Sequence, residues 1–133
     1  MKKQFLNPST HSKPLGYTHV ISVEGAGKLI FVSGQVAWDS QGNLVGQGDL
    51  AAQANKASEN LVAALAAAGA TPADIVKINT YVVNYKESDR TVIREARQRY
   101  FPTDNPPAST LVGVTALAVA GLLVEIEAVA VVR

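Results

Sequence analysis

The sequence predicts an α+β fold, in the order ββαβαββ, with two helices on one face of a mixed, largely antiparallel sheet. Residues 49–68 and 88–100 carry apolar side chains at intervals of three and four, which is typical of amphipathic helices. Residues 75–83, between them, are rich in β-branched side chains and predict a strand. Because a single sheet is available to both helices, we expect both to cover the same face.

The N-terminal part predicts an arm and a hairpin within one domain that spans residues 1–133. Residues 1–16 contain Pro8 and Pro14 among polar side chains, and we expect them to lie on the surface as an arm. Residues 20–23 and 28–33 are two short strand-like segments around the turn 24–27, which is a hairpin signal.

The signals that begin and end the helices are clear. Asp49 is suited to cap the first helix and Gly69 to end it. Residues 71–74 predict one capped turn with Pro72 at its first helical position. Residues 110–115 and 122–132 then predict the two closing strands.

The last strand has two carboxylates on one face. Side chains alternate along a strand, so Glu125 and Glu127 point the same way. The opposite face is wholly apolar, with Leu122, Val124, Ile126, Ala128, Ala130 and Val132. Since burying an unpaired charge is costly, each glutamate needs either a partner or a function.

Composition excludes several classes of function. The net charge is +1, and the basic residues form no groove of the kind that binds nucleic acid phosphates. Only 17% of residues are charged, below the usual quarter, which suggests that a second subunit covers part of the surface. The chain has no cysteine, so disulfides and thiolate chemistry are excluded.

We expect a cytoplasmic protein that makes no use of a membrane. The first residues are polar and lack the apolar centre of a secretory signal. The longest uncharged apolar run, residues 111–124, is too short to span a bilayer.

Several isolated motifs lack residues or spacings that a functional site requires. Gly25-Ala26-Gly27-Lys28 is followed by Leu29, whereas a phosphate-binding loop requires Ser or Thr there. His11 and His19 have neither the spacing nor the companions of a metal or nucleophile site. We therefore expect no metal site and no cofactor.

Three arginines share one side of the second helix, Arg90, Arg94 and Arg97. They could form a solvated face paired with Glu87, Asp89 and Glu95. Alternatively, one of them could turn toward a cleft and meet an anionic ligand.

Ordered sequence blocks carry a family resemblance. They are residues 29–35 (LIFVSGQ), 45–49 (VGQGD), 67–70 (AAGA), 105–114 (NPPASTLVGV) and 123–127 (LVEIE). From about Tyr17 to the last residue, the chain resembles the RidA/YjgF (Rid) superfamily. The resemblance implies a chorismate-mutase-like α+β domain that assembles as a homotrimer, with sites in the clefts between subunits.

The resemblance also implies roles for individual residues. Tyr17 matches a tyrosine that lines the cleft, and Gly34 matches a glycine whose main chain approaches the ligand. Glu125 matches the glutamate that orients the attacking water in deaminase members, although it could instead be an interface carboxylate. Arg94 matches a position that is often Asn.

Ser109 is a departure from the family pattern. It stands where deaminase members carry the arginine that binds the substrate carboxylate. A hydroxyl cannot reproduce a bidentate, always-charged guanidinium, and the loss corresponds to about 2–5 kcal/mol of binding. As a hypothesis, Arg94 replaces it from another wall, while Ser109 and Thr110 make room for a larger ligand.

The sequence therefore predicts a Rid-superfamily protein that binds a small polar or carbonyl- or imine-type metabolite in intersubunit clefts. Main-chain contacts would come from Gly34 and from Ser109, Thr110 and Leu111. Hydrolysis at a C=N or carbonyl centre is possible, but we do not expect the standard 2-iminoacid deaminase activity. The alternatives are an imine or enamine deaminase that uses another basic group, and a non-catalytic metabolite sensor.

Overall fold

The structure is a computed structural model that describes residues 1–25 and 27–133, and it confirms the α+β class. The predicted strand over residues 75–83 and both predicted helices are present. The elements are β1 (Lys2–Leu6), β2 (Val20–Glu24), β3 (Lys28–Gln35), α1 (Leu50–Ala67), β4 (Ile75–Val83), α2 (Asp89–Tyr100), β5 (Ala108–Val114) and β6 (Val124–Val132). One turn of 3₁₀ helix, Pro72–Asp74, precedes β4.

The main sheet has the strand order β3-β6-β4-β5. β6 is antiparallel to both of its neighbours, while β4 and β5 run parallel. The prediction of a mixed, largely antiparallel sheet is therefore correct. In this register Tyr81 lies opposite Glu125 and Asn79 lies opposite Glu127, so the two central strands bring their polar side chains together.

The predicted hairpin is wrong. β2 pairs with β1 rather than with β3, and Lys3 lies opposite Val23 in this separate two-stranded sheet. β3 instead pairs with β6, which offers it a longer apolar partner. Ala26, in the predicted turn, lies outside the described residues. The observed order is thus βββαβαββ, and the predicted surface arm over residues 1–16 contains the strand β1 in addition to irregular chain.

The helices cover one face of the main sheet. Alternate side chains of β6, such as Val124 and Ile126, are buried there against Leu61 and Leu65 of α1. Asp49 caps α1 as predicted, since its side chain accepts from the backbone N–H of Ala52 at 3.0 Å. No helix in the described parts of the chain has both the length and the apolar character needed to cross a bilayer.

A buried glutamine fastens two loops to α1. Gln53 is fully buried, and its Nε2 donates to the carbonyl oxygens of Gly46 at 3.1 Å and Gly121 at 2.9 Å. Its Oε1 accepts from the backbone N–H of Leu123 at 2.9 Å. All three bonds satisfy polar groups that would be expensive to bury alone, which fixes the chain just before β6 begins.

The opposite face of the sheet is open in this chain. Phe31 is 74% exposed and Leu29 is 55% exposed on β3, and Val112 is 40% exposed on β5. Exposed apolar side chains of this size, grouped on one face, are typical of an interaction surface.

Candidate functional site

A cleft of about 620 Å³ lies between α2, β5 and the segment that precedes β2. Four residues predicted for the ligand site line it: Tyr17, Arg94, Ser109 and Leu111. Its volume falls within the range of about 300–1,000 Å³ that small-molecule sites occupy.

Arg97 contacts Ser109 within this cleft. Its Nη1 donates to the Ser109 hydroxyl oxygen at 3.0 Å. Ile93 and Ala96 are buried against the sheet and fix the turn of α2 that carries Arg97. Burial lowers the pKa of the Arg97 guanidinium from its ordinary value, because desolvation disfavours the charged form. Arginine nevertheless keeps its charge in proteins, so a cation lies beside Ser109.

The arginine face of α2 is not a row of surface ion pairs. Arg90, Arg94 and Arg97 all line the cleft. Among residues 1–25 and 27–133, the one salt bridge joins Lys56 to Glu59. The pairing of the arginines with Glu87, Asp89 and Glu95 is therefore wrong. Like charges at three- and four-residue spacing destabilise a helix by about 0.2–0.5 kcal/mol per pair, and a bound anion would relieve this repulsion.

Tyr17 is held at the cleft by the chain around it. Its ring packs edge-on against the His19 ring, with 5.2 Å between the centroids. The Thr18 backbone N–H donates to the Pro107 carbonyl at 3.2 Å, just before β5. His19 hydrogen-bonds the Ser12 carbonyl through Nε2 at 2.8 Å, which gives this histidine a structural role.

Three other predicted residues lie on the open face of the sheet, not in the cleft. Thr110 alternates with Ser109 along β5, and its hydroxyl accepts from Lys77 Nζ at 2.9 Å. Glu125 alternates with buried Val124 and Ile126 on β6. Gly34 contacts Glu125. The sheet therefore separates the seven predicted residues into two groups within one chain.

Gly34 gives Glu125 its space. A Cβ atom built on Gly34 would lie 2.6 Å from Cδ and 2.8 Å from Cγ of Glu125. Real Cβ atoms do not approach so closely, so any side chain at position 34 displaces the glutamate. The need for glycine here is steric.

Glu127 has the partners that a carboxylate on this face requires. The Tyr81 hydroxyl donates to its Oε1 at 2.5 Å, and Asn79 Nδ2 donates to the same atom at 3.1 Å. These bonds lower the pKa of Glu127, because they favour its charged form, and the bond to Glu127 raises the pKa of Tyr81. Glu127 and Asn79 also line a smaller cavity of about 340 Å³ with Lys77 and Phe31.

Comparison with known proteins identifies the family. The model of the family described as Endoribonuclease L-PSP matches residues 10–132. The chain belongs to this family, the RidA/YjgF family. It is 36% identical to Protein DfrA of Myxococcus xanthus, with 98% of this chain and 97% of that protein covered. It is 29% identical to a 2-iminobutanoate/2-iminopropanoate deaminase of Dermatophagoides farinae, with 98% of each chain covered.

A solved structure of the Rid family is similar throughout. The crystal structure of YyfB from Yersinia pestis, a member of the conserved Rid protein family, matches with a TM-score of 0.89. It is 39% identical, and the match covers 98% of each chain. The agreement extends over the helices and both sheets, so the whole described chain follows a Rid architecture.

Arg97 and Tyr85 are among the cleft residues to which the Rid resemblance gave no role. Arg94 lines the cleft but is exposed, and it is Arg97 that bonds Ser109. The signal was available, since Arg97 lies three residues after Arg94 on the same side of α2. Tyr85 also lines the cleft. It follows the last residues of β4, and no spacing pattern marked it.

Nothing in the described chain resembles a metal centre. Within residues 1–25 and 27–133, no group of three or more His, Asp or Glu side chains could hold a metal ion. The cleft walls combine arginines, tyrosines and hydroxyls, which can bind anions and orient polar ligands, with apolar side chains such as Leu15 and Phe101.

Proposed function

We propose that this Rid-family protein binds a small carboxylate-bearing metabolite in the cleft between α2 and β5, with Arg97 as the cation that binds the carboxylate. One observation carries the proposal: Arg97 Nη1 lies 3.0 Å from the Ser109 hydroxyl. Ser109 occupies the position where the family resemblance implies an arginine. The helix thus supplies the guanidinium that the strand lacks.

The bond to Ser109 leaves most of the guanidinium free. Arginine has five N–H donors in a planar fork, and Ser109 uses one of them. The remaining donors can form the paired, charge-assisted bonds that carboxylates accept. Tyr17 and Leu111 add apolar surface for the rest of a small metabolite.

We propose further that a complete site needs two copies of the chain in a homotrimer. Glu125 and Gly34 lie on the open sheet face, whereas Arg97 and Ser109 lie on the helix side. One chain cannot bring these groups to one ligand, because its own sheet lies between them. A second copy whose open face packs beside the cleft would contribute Glu125, and would also cover Phe31.

Imine hydrolysis is the second candidate function, and the Arg97–Ser109 bond favours it too. The loss expected from Ser109 is offset if Arg97 binds the substrate carboxylate. Glu125 of a second copy would then hold and polarise a water molecule for addition to the C=N carbon. Relatives named 2-iminobutanoate/2-iminopropanoate deaminase are consistent with this chemistry. Ammonia release from enzymatically generated 2-iminobutanoate separates catalysis from binding alone.

Calorimetry with butanoate and 2-oxobutanoate tests the binding proposal. We expect Arg97→Ala to weaken binding about tenfold to a hundredfold, the contribution of a hydrogen bond to a charged group. Arg99→Ala is the matched control, because Arg99 is on the same helix but donates to Asn55 Oδ1 at 3.0 Å, outside the cleft. Equal losses in both variants, or no binding to the wild-type protein, would reject the proposal.

Assembly is measured separately. Sedimentation equilibrium should give three times the chain mass of 14.0 kDa. Phe31→Glu, which places a charge on the exposed apolar patch, should lower that mass. A wild-type mass equal to one chain would reject the proposal of a site shared by two copies. The proposal that Arg97 binds a carboxylate would still be decided by calorimetry.

A further inference from the structure

We propose that the ligand of the α2–β5 cleft carries two anionic groups and is a dicarboxylate. One carboxylate would bind at Arg97 and Ser109, and the second at Arg94 and Arg90. The inference rests on the proposed function and narrows its ligand class.

The first argument is the number of cations without a partner. Arg90, Arg94 and Arg97 line one cleft, and in the described chain no carboxylate lies within salt-bridge distance of any of them. A monocarboxylate at Arg97 would leave Arg90 and Arg94 without an anionic partner in the cleft. A second carboxylate on the same ligand neutralises the remaining charge and removes the repulsion within the helix face.

The second argument is spacing. Residues three apart in a helix are separated by roughly 4.5 Å along its axis, and residues seven apart by roughly 10.5 Å. Arg94 and Arg97 are therefore close enough to bind the two ends of a four- or five-carbon diacid. Arg90, one turn farther from Arg97, extends the cationic surface toward the second end.

The third argument is the difference in burial between Arg97 and the other two arginines. Arg97 is half-buried and fixed by its bond to Ser109, whereas Arg94 and Arg90 are exposed at the rim of the cleft. The inner position suits the carboxylate that sets the orientation of the ligand. The outer pair can move and so can accept the second carboxylate of acids that differ by one carbon in length.

The test compares acids that differ only at one end. Calorimetry at low ionic strength would measure the dissociation constants of two pairs of acids. Butanoate is compared with succinate, and pentanoate with glutarate. We expect each diacid to bind about tenfold to a hundredfold more tightly than its monoacid, the contribution of a second charge-assisted contact. Arg94→Ala should weaken the binding of diacids more than that of monoacids and so remove most of the preference, and Arg94→Lys should restore part of it.

Controls separate this inference from the proposed function. Arg97→Ala should weaken the binding of monoacids and diacids alike, and Arg99→Ala should change the affinity for neither class. Equal affinity for succinate and butanoate, or a diacid preference that survives Arg94→Ala, would overturn the inference and leave the carboxylate site standing. Tighter binding of 3-phosphonopropionate with no preference for succinate over butanoate would also overturn it, in favour of a phosphate ligand. If no acid binds, the proposed function itself fails.

Discussion

Arg97 on α2 donates to the hydroxyl of Ser109 on β5 across 3.0 Å. The bond joins a helix to the edge strand of the sheet and holds a guanidinium beside that strand. The positive charge beside Ser109 therefore belongs to α2. The residue on the strand and the charge beside it can therefore be changed separately.

Exchanging the two residues should move the guanidinium without removing it. Arg97→Ser should weaken binding of butanoate about tenfold or more. Adding Ser109→Arg to that variant should recover most of the loss, because the cation returns to the cleft from the strand. Ser109→Arg alone should lower the free energy of unfolding by about 1–3 kcal/mol, since a large side chain is forced into a partly filled space beside Arg97.

Calorimetry and urea denaturation of the three variants check this prediction. A double-mutant cycle then gives the coupling free energy between positions 97 and 109. If Ser109→Arg fails to improve binding in the Arg97→Ser background, then Arg97 acts on the fold and not on the ligand.

Much of the fold follows from local sequence signals, whereas the arrangement of the site does not. The predicted strand over residues 75–83 and the Asp49 cap are found as expected, because periodicity and capping depend on near neighbours. The hairpin between β2 and β3 fails, because a turn signal cannot show that β6 is a better partner for β3 than β2 is.

The predicted site divides for a related reason. Ser109 and Thr110 are adjacent in sequence, but alternation along β5 places them on opposite faces of the sheet. The family resemblance implies roles for single residues, and it does not show which of them meet within one chain. The choice of Arg97 over Arg94 depends on how α2 is rotated against the sheet, which Ile93 and Ala96 determine by their burial.

Gly34→Ala should displace the Glu125 side chain. The new Cβ would lie 2.6 Å from Cδ and 2.8 Å from Cγ, so rotation of the carboxylate alone cannot relieve the contact. We expect the free energy of unfolding to fall by less than the roughly 1–3 kcal/mol of overpacking in a core, because the atoms that must move belong to a flexible side chain on the open face. Urea denaturation measures it. Adding Glu125→Ala should recover most of the lost stability. If the double variant is as unstable as Gly34→Ala, the strain lies in the backbone.

Thr80→Val should stabilise the protein. Thr80 is 1% exposed, and its hydroxyl has no hydrogen-bond partner among the described residues. Burying an unpaired hydroxyl costs about 1–3 kcal/mol, and valine keeps the branched shape that suits β4. Urea denaturation should show a gain within that range. Thr110→Val is the control, since the Thr110 hydroxyl is exposed and bonded to Lys77. A loss of stability in Thr80→Val would mean that an ordered water satisfies the hydroxyl.

The Tyr81–Glu127 bond should make stability depend on pH at both ends of the range. The pKa of Glu127 is lowered from its ordinary value of 4.5, first by the Tyr81 hydroxyl and then by Asn79. Its contribution to stability is therefore present above pH 4.5 and is lost as the pH falls through the lower, folded-state pKa. The pKa of Tyr81 is raised from 10.0, so its contribution is present below that pH and is lost as the pH rises through the folded-state pKa.

Tyr81→Phe tests this linkage, because it removes the hydroxyl and keeps the ring. Both contributions should shrink together, so the urea-unfolding free energy of the variant should change less with pH than that of the wild type, below pH 4.5 and above pH 10.0. Tyr100→Phe is the control for removing a tyrosine hydroxyl on α2, outside the strands that carry Tyr81 and Glu127. Identical profiles for Tyr81→Phe and the wild type would show that solvent screens the bond at this open face.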